Sequence, residues 1–100
     1  MESNAVFACL ADPTRREILR LLADAPAPVE QLADRFPVSR PAVSKHLRKL
    51  KQAGLVTFEP DGRSHVYRAN LDALGEARAW IETMWAQRLS LLKRIAEGDS

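Results

Sequence analysis

Apolar residues recur along this chain with two different periods, and the changes of period divide it into elements. Val6, Phe7 and Leu10 make a short helical stripe that ends at "ADP". Asp12 stands where an N-cap belongs, with Pro13 at the first helical position, where a missing N–H costs nothing. That second helix, over 13–24, turns Ile18, Leu19, Leu21 and Leu22 inward. "DAPAP" breaks it, and Val29, Leu32, Ala33 and Phe36 mark a short third helix stopped by Pro37. Ser39 is an N-cap for a fourth helix over 40–53, Pro41 is tolerated in its first turn, and Gly54 closes it.

The period then changes. "LVTFE" and "RSHVYRA" read as two β-strands around a Pro-Asp-Gly turn. From Leu71 to Glu97 the helical period returns, predicting one last helix about 40 Å long. The expected chain is mainly α, in the order α-α-α-α-β-β-α. Helices three and four, joined by "PVS", have the spacing of a helix-turn-helix, and the hairpin directly after them takes the place of a wing.

With 100 residues, 46% apolar and 28% charged, the expectation is one globular domain over 1–100. No window approaches the roughly 18 apolar residues of a membrane span. The start "MESNAVFACLADP" lacks the basic and apolar regions of a secretory signal. Cys9 stands alone, so no internal disulfide forms, which suits a reducing cytosol. A cytoplasmic protein without membrane contact is expected.

Charge sharpens the picture through its distribution. Residues 1–38 carry four Arg against six acids, a balance of −2. Residues 39–69 carry seven basic residues against Glu59 and Asp61, a balance of +5, and residues 70–100 carry four against five, a balance of −1. Positive charge in the middle third hints at a polyanion. Val43, Leu47 and Leu50 define the buried side of the fourth helix, at 100° per residue. Pro41, Ser44, Lys45, Arg48 and Gln52 fall opposite, with Arg40, His46 and Lys51 on the flanks. A merely solvated face would interleave acids for i,i+4 pairs, and none stands between Arg40 and Gly54. Arg pairs bidentately with guanine, and Ser bonds bases or phosphate, so this face suits a DNA groove.

At this point "ADPTRREILRLL", "VSRPAVSKHLRKLKQAGLV" and "DGRSHVYRA" together resemble the matching segments of ArsR/SmtB-type winged-helix repressors. The likeness runs over nearly the whole chain, in order. It implies a homodimeric transcriptional repressor that binds an inverted-repeat operator on double-stranded DNA. By position, the resemblance makes Ser39, Arg40, Pro41, Ser44, Lys45 and Arg48 the DNA-binding set of the helix. Ser39 doubles as the cap. Arg63 joins from the wing turn, with His65 and Arg68 as weaker candidates there, the stem of Arg68 suiting cover of the sheet instead. His46 is a boundary residue expected to bond locally. Within this family one metal site uses two cysteines of the third helix, and here those positions hold Pro28 and Glu30. A second family site needs histidine on the last helix, and residues 70–100 contain none. No metal and no cofactor are expected, and the effector is left open.

Catalysis is not expected either. Ser44 and His46 point about 200° apart on a helix, too far to act as nucleophile and base. Cys9 offers the alternative of a thiol-responsive regulator, although its place beside Phe7 and Leu10 suits a buried structural cysteine. A winged helix used only for protein interaction is the other alternative. The last helix carries Leu74, Ile81, Met84, Trp85, Leu91, Leu92 and Ile95 in one broad stripe that Trp80 and Leu89 widen. A small domain cannot cover so much, and two tryptophans left in water would be an unusual patch. The expected homodimer interface is therefore Trp80, Ile81, Met84, Trp85 and Leu92, with Val6 and Leu10 of the first helix joining as in the family.

Overall fold

Helices two and four start at side-chain caps in the computed structural model, which describes residues 2–98 and side chains from residue 4 onward. Helix α1 spans Glu2–Leu10 and α2 spans Pro13–Asp24. Asp12 caps α2, its Oδ1 accepting the backbone N–H groups of Thr14 at 2.7 Å and Arg15 at 3.1 Å. Two arginines of α2 reach back to the open end of α1. Arg15 Nε donates to the Cys9 carbonyl at 2.6 Å and Arg16 Nη1 to the Leu10 carbonyl at 2.7 Å. Cations on the last carbonyls of a helix also complement its dipole.

Strand β1 is only Ala27–Pro28, and α3 follows at once over Val29–Ala33. The third helix thus stops three residues short of Phe36, which packs half-buried against the core. Helix α4 covers Arg40–Gln52, capped by Ser39, whose Oγ accepts the Ala42 N–H at 3.2 Å. Its far end closes in a Schellman motif. Leu55 N–H donates to the Leu50 carbonyl and Gly54 N–H to that of Lys51, both at 2.9 Å. Gly54 adopts φ +79°, as that motif requires.

Strands β2 (Val56–Asp61) and β3 (Ser64–Ala69) form the hairpin, and β1 adds to β3, giving the antiparallel order β1-β3-β2. The third strand and the turn both depart from the sequence expectation. Pro60 and Asp61 belong to β2, opposite His65 and Ser64, and the turn is Gly62-Arg63. Gly62 at φ +64° followed by a residue at negative φ has the sign pattern of the II′ turn that fits strand twist. Pro60 is tolerated because β2 is an edge strand.

The last helix is not continuous from Leu71. A 3-10 turn holds Leu71–Leu74, and helix α5 runs from Gly75 to Gly98. Asn70 fixes this junction: its N–H donates to the Leu55 carbonyl at 2.8 Å and its Nδ2 to the Gly54 carbonyl at 3.0 Å. The wing therefore leaves and returns at one point.

One buried cluster joins Val6, Ile18, Leu19, Leu22, Leu32, Val43, Leu47, Leu50, Leu55 and Val56. Each such side chain contributes about 1.5–3 kcal/mol relative to exposure. Helix α5 adds Ala77 alone to that buried cluster and otherwise projects, so the principal extents are 67 × 25 × 22 Å. The radius of gyration of 18.0 Å exceeds the roughly 13 Å of a compact 100-residue domain.

Candidate nucleic-acid interface

Helix α4 buries Val43, Leu47 and Leu50 completely, as its spacing requires. That anchoring fixes what the opposite side shows. Arg40, Pro41, Lys45 and Arg48 are exposed, Ser44 is half-buried, and Ser39 is exposed at the cap. The N-terminal turn therefore offers N–H groups, hydroxyls and cations together, a combination suited to phosphate and base edges.

The wing is held beside both ends of this helix. Lys51 Nζ lies 4.5 Å over the Phe58 ring of β2, a cation–π contact at the C-terminal end. At the N-terminal end, Glu30 of α3 bridges the two elements. Its Oε2 accepts the Ser64 hydroxyl of β3 at 2.7 Å and lies 3.2 Å from Arg40 Nη2. Hydrogen bonding from Ser64, then from its own backbone N–H, with Arg40 beside it, holds the Glu30 carboxyl below its ordinary range. Glu30 was invisible to the count of charges along the helix, because it reaches α4 from another element. The one signal for it is the β1–β3 register, in which Ala27 faces Tyr67 and Pro28 faces Val66. That pairing brings the start of α3, and with it Glu30, beside the first residue of β3.

At the wing tip, Arg63 is exposed in the turn itself. His65 is exposed too, but its ring rests on Phe58 at 4.6 Å between centroids, which orients it. Arg68 donates from Nε to Glu59 Oε1 at 2.8 Å, an exposed pair that neutralises its charge locally. His46 faces the body: its Nδ1 lies 3.3 Å from Arg15 Nη1. A guanidinium only donates, so Nδ1 accepts and this residue bonds locally. Cys9 is buried, and burial pushes its thiol up despite the opposing Arg15, the environment of a structural cysteine rather than an activated thiolate.

The residues expected at a dimer interface divide into two groups. Val6 is 1% exposed and packs in the protomer's own core, and Leu10 is half-buried. Trp80, Ile81, Met84, Trp85 and Leu92 are exposed, the tryptophans by 56% and 58%. Phe7 is the outward residue of α1, meeting Trp80 edge-on at 5.8 Å. Between α1 and α5 runs an apolar groove of about 330 Å³ lined by Phe7, Leu10, Leu74 and Ile81. Among the described residues no group of three or more His, Cys, Asp or Glu is placed to hold a metal ion. None of the helices there is long and apolar enough to cross a membrane.

A capped basic helix, anchored by its apolar side and flanked by a hairpin, defines a winged helix-turn-helix of the DNA-binding kind. A family model described as a helix-turn-helix domain matches residues 10–57. The chain is 42% identical over 98 residues to the HTH-type transcriptional regulator Rv2034 of Mycobacterium tuberculosis, covering 96% of this chain and 92% of that protein. It is 36% identical over 78 residues to the transcriptional repressor SdpR of Bacillus subtilis, covering 78% of this chain and 87% of the repressor. An ArsR-like transcriptional regulator from Rhodococcus sp. RHA1 superposes with a TM-score of 0.74 at 44% identity, over 95% of this chain and 92% of that one. The chain belongs to the ArsR family of winged helix-turn-helix, DNA-binding transcriptional regulators, and it is not an enzyme.

Proposed function

We propose that this regulator is a cytoplasmic repressor that binds an inverted-repeat operator as a homodimer. The observation that carries the reading is the side of α4 left outside once its apolar residues are buried. It carries Arg40, Lys45 and Arg48 with no acid of its own. Arg48, Lys45 and Ser44 then read base edges or adjacent phosphates, Ser39 and Arg40 hold phosphate at the helix N-terminus, and Arg63 reaches the backbone or minor groove from the wing. Repression is supported by the similarity to SdpR, whose name describes a transcriptional repressor.

The exposed side of α5 supports the dimer. Trp80, Met84, Trp85, Leu89, Leu92 and Ile95 are each more than half exposed, a larger patch than a monomer ordinarily leaves in water. A second copy of the chain supplies an identical apolar helix, and closed two-fold pairing is the commonest way to bury such a surface. The test is selection of bound fragments from genomic DNA by the purified protein. Enriched sites should show two inverted half-sites centred about 34 Å apart. Enrichment of a single asymmetric site, or none, would overturn the proposal.

The same reading has no regulatory metal. Pro28 and Glu30 supply no thiolate, and Glu30 is engaged by Ser64 and Arg40. Stoichiometric zinc, cadmium, nickel or copper should therefore leave the protein–operator complex intact. Release at one equivalent per subunit, reversed by chelator, would refute this.

A further inference from the structure

The candidate DNA face carries an acid that an interface for a polyanion has no obvious use for. Glu30 sits at the N-terminal end of α4, in contact with one of the cations that face would offer to phosphate. Its Oε2 is engaged by the Ser64 hydroxyl and the Arg40 guanidinium, whereas Oε1 is shielded from solvent and takes no bond from another residue. Arg40 itself occupies the first position of α4, where the helix dipole disfavours a cation. The carboxylate offsets that local cost.

We infer that Glu30 is a specificity-setting counter-charge, which withholds Arg40 from DNA until a correct site competes for it. This inference rests on the DNA-reading role of α4 proposed above. The ion pair is well placed for such an exchange. Both partners are partly exposed, Arg40 by 58% and Glu30 by 41%, so the pair is screened by water and salt and is weak. A phosphate oxygen can displace the carboxylate without breaking the packing of either helix. On random DNA, few other contacts favour that displacement, and Glu30 keeps Arg40 while adding its own repulsion of the backbone. On the right sequence, base contacts from the rest of α4 hold the helix in the groove, and the exchange follows. Ser64 keeps the carboxylate in place in either case and ties it to the wing beside Arg63.

Glu30→Gln tests the idea, because the amide oxygen still accepts from Ser64 while the charge is gone. Affinity should be measured against salt for a random-sequence duplex pool and for the tightest site the wild type selects from that pool. The variant should bind random duplex about 1.5- to fivefold more tightly, the equivalent of one freed surface ion pair. Its log–log salt slope should steepen by about 0.9, one additional phosphate. The selected site should gain less, so the ratio of specific to random affinity narrows. Arg40→Gln should weaken random binding more in the Glu30→Gln background than in the wild type, since only there is Arg40 free beforehand. Unchanged affinity and slope in Glu30→Gln, with wild-type thermal stability, would overturn the inference and leave the DNA reading standing. Absence of any DNA binding by the wild type at low salt would remove both. If Glu30→Gln melts early, the comparison of Arg40→Gln with wild type on random duplex decides: a full unit of lost slope there shows Arg40 already free and sinks the inference.

Discussion

Helices α4 and α5 are both amphipathic, yet they treat their apolar sides in opposite ways. Helix α4 hides Val43, Leu47 and Leu50 inside the protomer, so what it shows is charge. Helix α5 hides Ala77 alone and shows two tryptophans and a row of aliphatic side chains. The same periodicity thus has two meanings. When the chain itself covers the stripe, the far side of the helix is the one left for a partner. When the chain leaves the stripe uncovered, as in α5, the stripe itself is the surface proposed to meet a second copy.

The most forceful way to break this comparison is to make α5 polar. Trp85→Gln with Leu92→Gln should yield monomers in sedimentation and lower operator affinity by a hundred- to ten-thousandfold, the loss of paired binding. Circular dichroism of the monomer should be unchanged, because neither side chain packs in the protomer's own core, while the melting temperature should fall and lose its dependence on protein concentration. A wild-type monomer that binds its operator tightly would defeat the reading. Leu47→Ala on the hidden side of α4 should do the reverse, costing about 2–5 kcal/mol of folding stability in denaturant titration.

On the outward side of α4, Lys45→Ala and Arg48→Ala should preserve circular dichroism and weaken operator binding. Each should cost about 1–3 kcal/mol if a base contact is lost. If a phosphate contact is lost, the salt slope should fall by about one unit. Unchanged affinity in the double variant would refute the assignment.

The smallest effect concerns the frame beneath both helices. Asp12→Ala should destabilise by about 0.5–2 kcal/mol, the worth of an N-cap. Backbone N–H groups of Arg15 and Thr14 hold the Asp12 carboxyl below its ordinary value of 3.8. A depressed folded value means the unfolded chain takes up the proton first. The stabilisation is therefore complete above about 3.8 and disappears as pH falls through the lower folded value. Acid titration of the wild type and Asp12→Ala should show their stabilities converging below that range.

What the sequence made legible follows from how local each signal is. Ser39 and Gly54 bracket α4 within their own few residues, and both caps form where expected. The signal for β1 is not local at all: Ala27 and Pro28 become a strand only because Tyr67 and Val66 lie opposite. The turn misled for a related reason. Pro60 has a backbone angle that serves an extended edge strand as well as a turn, and the register with β3 decides between them. In α1, three large apolar residues on nine could not show which faced inward, and Val6 with Cys9, rather than Phe7, holds the core. For the proposed DNA face, sequence showed the cations but not the acid delivered to them from α3.

The position of Pro60 also bears on how this protein behaves when crowded. Antiparallel pairs alternate between those that exchange hydrogen bonds and those that do not, and Asp61 with Ser64 closes the two-residue turn as a bonded pair. Pro60 opposite His65 is then an unbonded pair, with its nitrogen on the outer edge of β2. An exposed edge strand is a template on which other chains can stack, and a proline there removes one of its donors. The wing can stand out from the body, bare on one side, without inviting strands of neighbouring molecules to extend it into an aggregate.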